Sequence, residues 1–264
     1  MSTQSTTTTA GRAVAPIPTS RIVRVELRKM FDTRSGFWLL TSTGLLSVVA
    51  TAAAIVFAPE GTLSYDTFAT AIGFPMTLIL PLIAILAVTS EWSQRSGLTT
   101  FTLVPGRGRV IGAKAMATVI VGIVSMLAAL LIGAVGNVVG SALAGVDTVW
   151  DISPAHAAEI VMGNLVGMAI GFTLGVVLRS SAAAVVGYFV LSFVLSGILV
   201  LLARAREWFT DLQAWIDWNQ TQVALFEGRT SSAQEWAQLA STTLIWIVVP
   251  LVVGLALLRR CEVK

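Results

Sequence analysis

Chemistry-bearing side chains are scarce in this chain. Its 264 residues include one cysteine, Cys261, and one histidine, His156. A lone cysteine excludes a disulfide framework and a cysteine-based metal site, and a lone histidine excludes most zinc and di-iron chemistry. Charge is sparse as well. The 17 Lys and Arg and 14 Asp and Glu make up 12% of the chain, against about 25% in an ordinary soluble domain. No GxSxG or HExxH occurs, so a membrane enzyme has little to build from. What fills the chain instead is apolar: 55% of its residues, with a mean hydropathy of +0.83. One soluble core of this size cannot absorb so much apolar surface with so few charges to cover it. A soluble enzyme, a disordered chain and a nucleic-acid binder are therefore excluded, in spite of an isoelectric point near 9.5. The expectation is an all-α, polytopic membrane protein with no metal site.

A membrane-crossing helix needs about 20 largely apolar residues. Six stretches meet this: Phe37–Ala58, Phe68–Val88, Ala113–Val139, Ile160–Leu178, Ala182–Ala203 and Thr243–Leu258, the last borrowing a turn from Leu239–Thr242. The first 36 residues lack the apolar region of a secretory signal. Residues 1–19, rich in Ser, Thr, Ala and Pro, read as a disordered tail, and residues 20–264 as one transmembrane domain.

Positive residues mark the cytoplasmic side. With the N-terminus inside, all 17 Lys and Arg face the cytoplasm except Arg204, Arg206 and Arg229. Acidic residues run the other way, with only Glu26, Asp32, Glu91 and Glu262 inside. Six spans, N-in and C-in, satisfy both signs. The basic isoelectric point then belongs to a face turned towards anionic lipid headgroups.

Residues 20–36 precede the first span. Val23, Leu27, Met30 and Phe31 fall on one helical stripe, with Arg21, Arg24, Arg28 and Asp32 opposite and Ser20 as N-cap. This predicts a helix lying in the interface, its apolar side in lipid and Arg21, Arg24, Arg28, Lys29 and Arg34 near the phosphates. Residues 89–112 join the second and third spans. They expose Trp92, Leu98, Phe101, Leu103 and Val104 between charges and break at Pro105-Gly106, which suggests that something packs there. Gly106-Arg-Gly-Arg-Val-Ile-Gly-Ala-Lys114 lacks the spacing of a phosphate loop, so no nucleotide site is expected in this chain.

These elements carry a family likeness: an amphipathic basic entry helix ending in Thr33-Arg34, a span, a second span ending in Glu91, Gly97-Leu-Thr99, Pro105, arginines and a lysine opening the third span. The chain resembles the permease subunits of ABC transporters of the type-two exporter family over about Ser20–Lys264. The resemblance implies that residues 20–36 are an elbow helix on the inner membrane surface. It implies that residues 89–112 form a coupling segment docking on a separate ATPase, with Glu91, Gly97, Thr99, Phe101, Pro105, Arg107, Arg109 and Lys114 as coupling and gate residues. One departure is that Leu98 separates Gly97 from Thr99, and that Arg107 and Arg109 flank the position of the family's single arginine. ATP and magnesium would sit on the ATPase, with no cofactor in this chain. A second permease copy, or a sister permease, would complete the assembly in a bacterial inner or plasma membrane. A passive channel or an immunity-type membrane protein, needing no ATPase, is the competing expectation.

Within the spans, Gly163, Gly167, Gly171 and Gly175 form a small-residue face suited to close helix packing. Pro75 and Pro81 predict a kinked second span with carbonyls for neighbours to satisfy. Asn137 and Asn164 are the intramembrane polar residues, for interhelical bonds or a substrate pathway. The apparent lack of buried carboxylates and lysines argues against a proton or ion relay. Residues 204–241 hold Trp208, Trp215, Trp218 and Trp236 and predict one or two short interfacial or re-entrant helices on the outer side.

Overall fold

The computed structural model describes residues 17–59, 61–93, 107–230 and 232–260, without the side chains of Glu91, Ser93, Arg107 and residues 258–260. Helix accounts for 88% of the described residues, and no strand occurs among them. Helix α1 is Thr19–Asp32, α2 Arg34–Phe57, α3 Tyr65–Ser93, α4 Arg107–Ala144 and α5 Pro154–Leu178. Next come α6 (Ser181–Ala205, with a π-helical segment at Val190–Leu195), α7 (Glu207–Ile216) and α8 (Trp218–Phe226). The chain ends in α9, which runs from Ala233 through a second π segment at Leu244–Val248 and on as Val249–Arg260.

Six of these helices, α2 to α6 and α9, are long and apolar enough to cross a membrane. Their exposed surface carries Leu45, Val48, Val56, Phe74, Leu131, Val186 and Leu201. Such apolar coverage has no place in water, and the chain is an integral membrane protein. The span α5 is the most buried, α3 the next and α9 the least, and α3 and α5 pack on each other at the centre of the core. Met76, Leu80, Ala84 and Val88, four apart on α3, meet Met168, Phe172 and Val176 of α5 in the main core.

Glycine makes the central contact possible. A Cβ at Gly171 would lie 2.6 Å from the backbone oxygen of Pro81, and one at Gly175 would touch Val88 and Ile85. Helix α5 therefore approaches the proline turn of α3 backbone to backbone, the packing that small residues permit in membranes. A second glycine face, Gly133, Gly136 and Gly140 of α4, receives Phe68 of α3 and Ile55 of α2. This one the sequence reading did not single out.

Two further features depart from expectation. Helix α1 starts at Thr19, and Ser20 does not cap it; the preceding Pro18 offers no side-chain bond. Its buried residues are Ile22, Val23, Glu26 and Met30, while Phe31 is 53% exposed. The stripe is rotated towards Ile22, because this face meets α4 of the same chain and not an apolar medium. In the segment expected to form interfacial or re-entrant helices, α8 reaches into the bundle. Gln222 of α8 donates to the Gly163 carbonyl at 2.8 Å, nine residues or about 14 Å along α5 from Pro154.

Candidate functional site

Two places bring polar groups together inside the bundle. The first lies where α1, the end of α3 and the start of α4 meet. Glu26 is 4% exposed and Lys114 3%. The Lys114 Nζ donates to Glu26 Oε2 at 2.6 Å and to the Ala87 carbonyl at 3.1 Å, and Lys29 donates to Glu26 Oε1 at 2.8 Å. Burying two charges is tolerable only with such close pairing and further hydrogen bonds. Five residues before Lys114 in the same helix, the Arg109 guanidinium donates to the Ile17 carbonyl at 2.6 Å. The first turns of α4 thus hold α1 at its middle through Glu26, the residue Ile17 just before it, and the last turns of α3 through Ala87. A cavity of about 40 Å³ beside the pair, bounded by Thr33, Ser90 and Ala117, is roomy and polar enough for water.

The sequence-predicted coupling residues distribute around this junction as follows. Glu91 and Arg107 are helical residues at the end of α3 and the start of α4. Gly97, Thr99, Phe101 and Pro105 lie outside the described residues. Arg109 and Lys114 are engaged as above. Among the elbow arginines, Arg21, Arg24, Arg28 and Arg34 are exposed, and Lys29 is half-buried on Glu26. The structure therefore contains a buried carboxylate and a buried lysine, where the sequence reading expected none. Opposite charges 88 residues apart are invisible to a span-by-span reading.

The second place is a lateral cavity of about 350 Å³ between α3, α5, α6 and α8. Its walls include Thr70, Gly73, Phe74 and Thr77 of α3, Tyr188, Ser192 and Phe193 of α6, and Trp218, Asn219 and Gln222 of α8. Proline chemistry explains why a tyrosine stands there. Pro81 has no N–H to give the carbonyl four residues back, that of Thr77. The Tyr188 hydroxyl donates to this oxygen at 3.0 Å, so α6 satisfies what α3 lost. The Tyr188 ring lies 6.2 Å from that of Trp218. The Val190–Leu195 π segment begins two residues later, and π segments of this kind recur at functional sites.

The α7–α8 corner is fixed by Asp217, a 2%-exposed carboxylate. Its Oδ1 accepts from Ser196 Oγ at 3.0 Å and from the Asn219 amide at 3.1 Å, and its Oδ2 from Gln213 at 3.0 Å. The Trp246 indole donates to the Ile216 carbonyl at 2.7 Å. These bonds aim α8 into the bundle. Gly163 and Gly167 leave room for it, facing Phe226 and Gln222 respectively.

Asn137 and Asn164 are not brought into this cavity. Asn137, fully buried, donates to the Val149 carbonyl at 2.8 Å and pins the α4–α5 loop. Asn164 donates to Ile160 of its own helix at 3.0 Å. At the same end Asp151 accepts from the Asp66 amide at 2.8 Å, capping α3 from another loop. Burial raises the Asp151 pKa, but the bonds from Ser64 and the Asp66 amide and the charge of His156 outweigh it and hold the carboxyl below its usual value.

Signals for Tyr188, Trp218 and Gln222 existed only in part. Pro81 announced an orphan carbonyl, but which residue would answer it is a tertiary fact. Comparison of the chain with protein-family models and with curated proteins finds no match.

Proposed function

We propose that this chain is the permease subunit of an ATP-driven ABC exporter of the type-two family, acting as a dimer of two copies with two separate ATPase chains. Both termini lie on the cytoplasmic side in this reading, and α1 is the elbow helix. ATP and magnesium are held by the ATPase, and the chain itself is not an enzyme.

The observation that carries the reading is the grip of α4 on α1 and α3 through Arg109, Lys114 and Glu26. Residues 94–106 leave from the end of α3 and return at the start of α4, so both roots of the coupling segment sit in this one junction. A push on that segment moves α1, α3 and α4 together. Thr89 near the end of α3 lies 2.8 Å from Ser181 at the start of α6, which extends the unit to a wall of the lateral cavity. Two packings of these helices, biased by nucleotide on the ATPase, are what alternating access requires. Export follows if the cavity opens to the outer side in one packing.

The test is gentle purification of the chain from native membranes, with subunit stoichiometry by mass spectrometry. A Walker-motif ATPase at one copy per permease supports the assignment. Recovery without any ATPase, under conditions that keep known transporters whole, favours the channel or immunity reading and removes this one.

A further inference from the structure

The lateral cavity has a chemistry of its own, independent of what drives the protein. None of the described residues lining it carries a charge. On α3 its wall extends from Ala69 to Leu78, about 14 Å of helix, starting near the Tyr65 end and reaching the middle of the span. Phe74 is 70% exposed and Phe193 56%, so the mouth opens sideways, between aromatic rings, towards the bilayer. Hydroxyl and amide groups at Thr77, Ser192, Asn219 and Gln222 also line the cavity. Trp218, only 2% exposed, closes this end of the wall with its ring beside that of Tyr188. At Gly73 an added Cβ would meet nothing within 4 Å, so the space beside α3 is open there.

We propose that this cavity binds an uncharged, single-chain amphipath that enters from the bilayer: an acyl chain between Phe74 and Phe193, and a hydroxyl or ester head among the polar groups around Trp218. Apolar walls with a few placed polar groups, in a space of this size, are what small-molecule sites share. The missing countercharge excludes an ionised head, because a bare charge at this depth is expensive. The length of the wall and the volume favour one chain over the bulk of a two-chain phospholipid. The inference goes beyond the transporter reading and holds whether the molecule is cargo or a resident lipid.

The experiment uses the full chain in detergent, incubated with equal amounts of 1-monooleoylglycerol, oleate and oleylamine, which share one chain and differ in head charge. Retention is read by native mass spectrometry. The expected result is retention of monooleoylglycerol at least tenfold above the two charged probes. Gly73→Phe fills the cavity and removes that retention. Gly197→Phe, whose position is also open but lies outside the cavity wall, leaves it unchanged. Thr70→Trp at the exposed mouth is the second blocking variant, should Gly73→Phe unfold at a lower temperature than the parent.

Equal retention of all three probes, or undiminished retention in both blocking variants, overturns the proposal. So does a failure of monooleoylglycerol to bind combined with dissociation of a dimer by Gly73→Phe, which would make the cavity a contact between two copies. Retention with no ATPase in the purified complex sinks the exporter reading and leaves this one standing.

Discussion

Replacing Glu26 by Met takes the carboxylate away from the Lys114 ammonium, which is 3% exposed. Breaking a buried pair by removing one partner costs about 3–5 kcal/mol, and Glu26→Met belongs at the upper end. Lys114→Met belongs at the lower end, because Glu26 keeps Lys29 at 2.8 Å, a residue with 41% of its side chain exposed. The double variant removes both charges and leaves two apolar side chains of similar length. Exchanging a whole buried pair for apolar groups is near neutral or stabilising. The double-mutant cycle should therefore show a coupling of about 6–8 kcal/mol, close to the sum of the two single costs. The assay is reversible chemical unfolding in lipid nanodiscs, with α1 monitored by hydrogen exchange over residues 19–32. Hydrogen exchange should rise in α1 in both single variants and recover in the double. In the proposed complex with an ATPase, the double variant should still lose transport relative to hydrolysis, since apolar contacts slide where the ion pair does not. Additive effects, with no coupling beyond about 0.5 kcal/mol, would refute the pairing and the junction built on it.

The other predictions concern the centre and the opposite end. Tyr188→Phe strands the Thr77 carbonyl and should destabilise the fold by about 1–3 kcal/mol. In a Pro81→Ala background, where residue 81 regains an N–H for that oxygen, the same change should lose most of its effect; an equal cost in both backgrounds would sink the proline explanation. Gly171→Ala drives a Cβ into the Pro81 backbone and should cost about 1–3 kcal/mol as overpacking, whereas Gly73→Ala meets open space and should be neutral or slightly stabilising in thermal unfolding. Asp151 has a folded pKa below its unfolded value, so its contribution is full above about pH 4. It fades as pH falls through the folded pKa. Hydrogen exchange at the start of α3 should accelerate only in that acid window, and Asp151→Asn should abolish the acid step.

Hydropathy made the spans legible because a bilayer demands about 20 apolar residues regardless of tertiary contacts. It misplaced their ends for the same reason. Helix α4 begins at Arg107 and not near Ala113, since a helix continues past the hydrocarbon wherever its end has partners, here Ile17 and Glu26. The α5 glycines were readable as a small-residue period. The broken period of Gly133, Gly136 and Gly140 in α4 was not. The polar site was less legible still. Asp217 looks like a loop acid in the sequence and is a buried corner in the fold. Gln222 sits in a segment legible only as short interfacial or re-entrant helices, and its bond to Gly163 of α5 is a tertiary fact.

The π segment of α6 has a geometric consequence. Ala184, Tyr188, Ser192 and Ser196 are all buried and follow at steps of four. Each step of four overshoots an α-helical turn by about 40°, so three steps in a regular helix would carry Ser196 about 120° around the axis. The wider turns between Val190 and Leu195 absorb that drift and keep the four residues at one azimuth. Tyr188 can then reach α3 while Ser196 still reaches Asp217. Deleting a single residue from this stretch and returning it to regular helix would take away about 100° of rotation, close to what the wide turns absorb, so Ser196 would keep its side of the helix. A regular helix of unchanged length would instead leave its inner and outer halves about 100° out of phase, although hydropathy and span length would be the same.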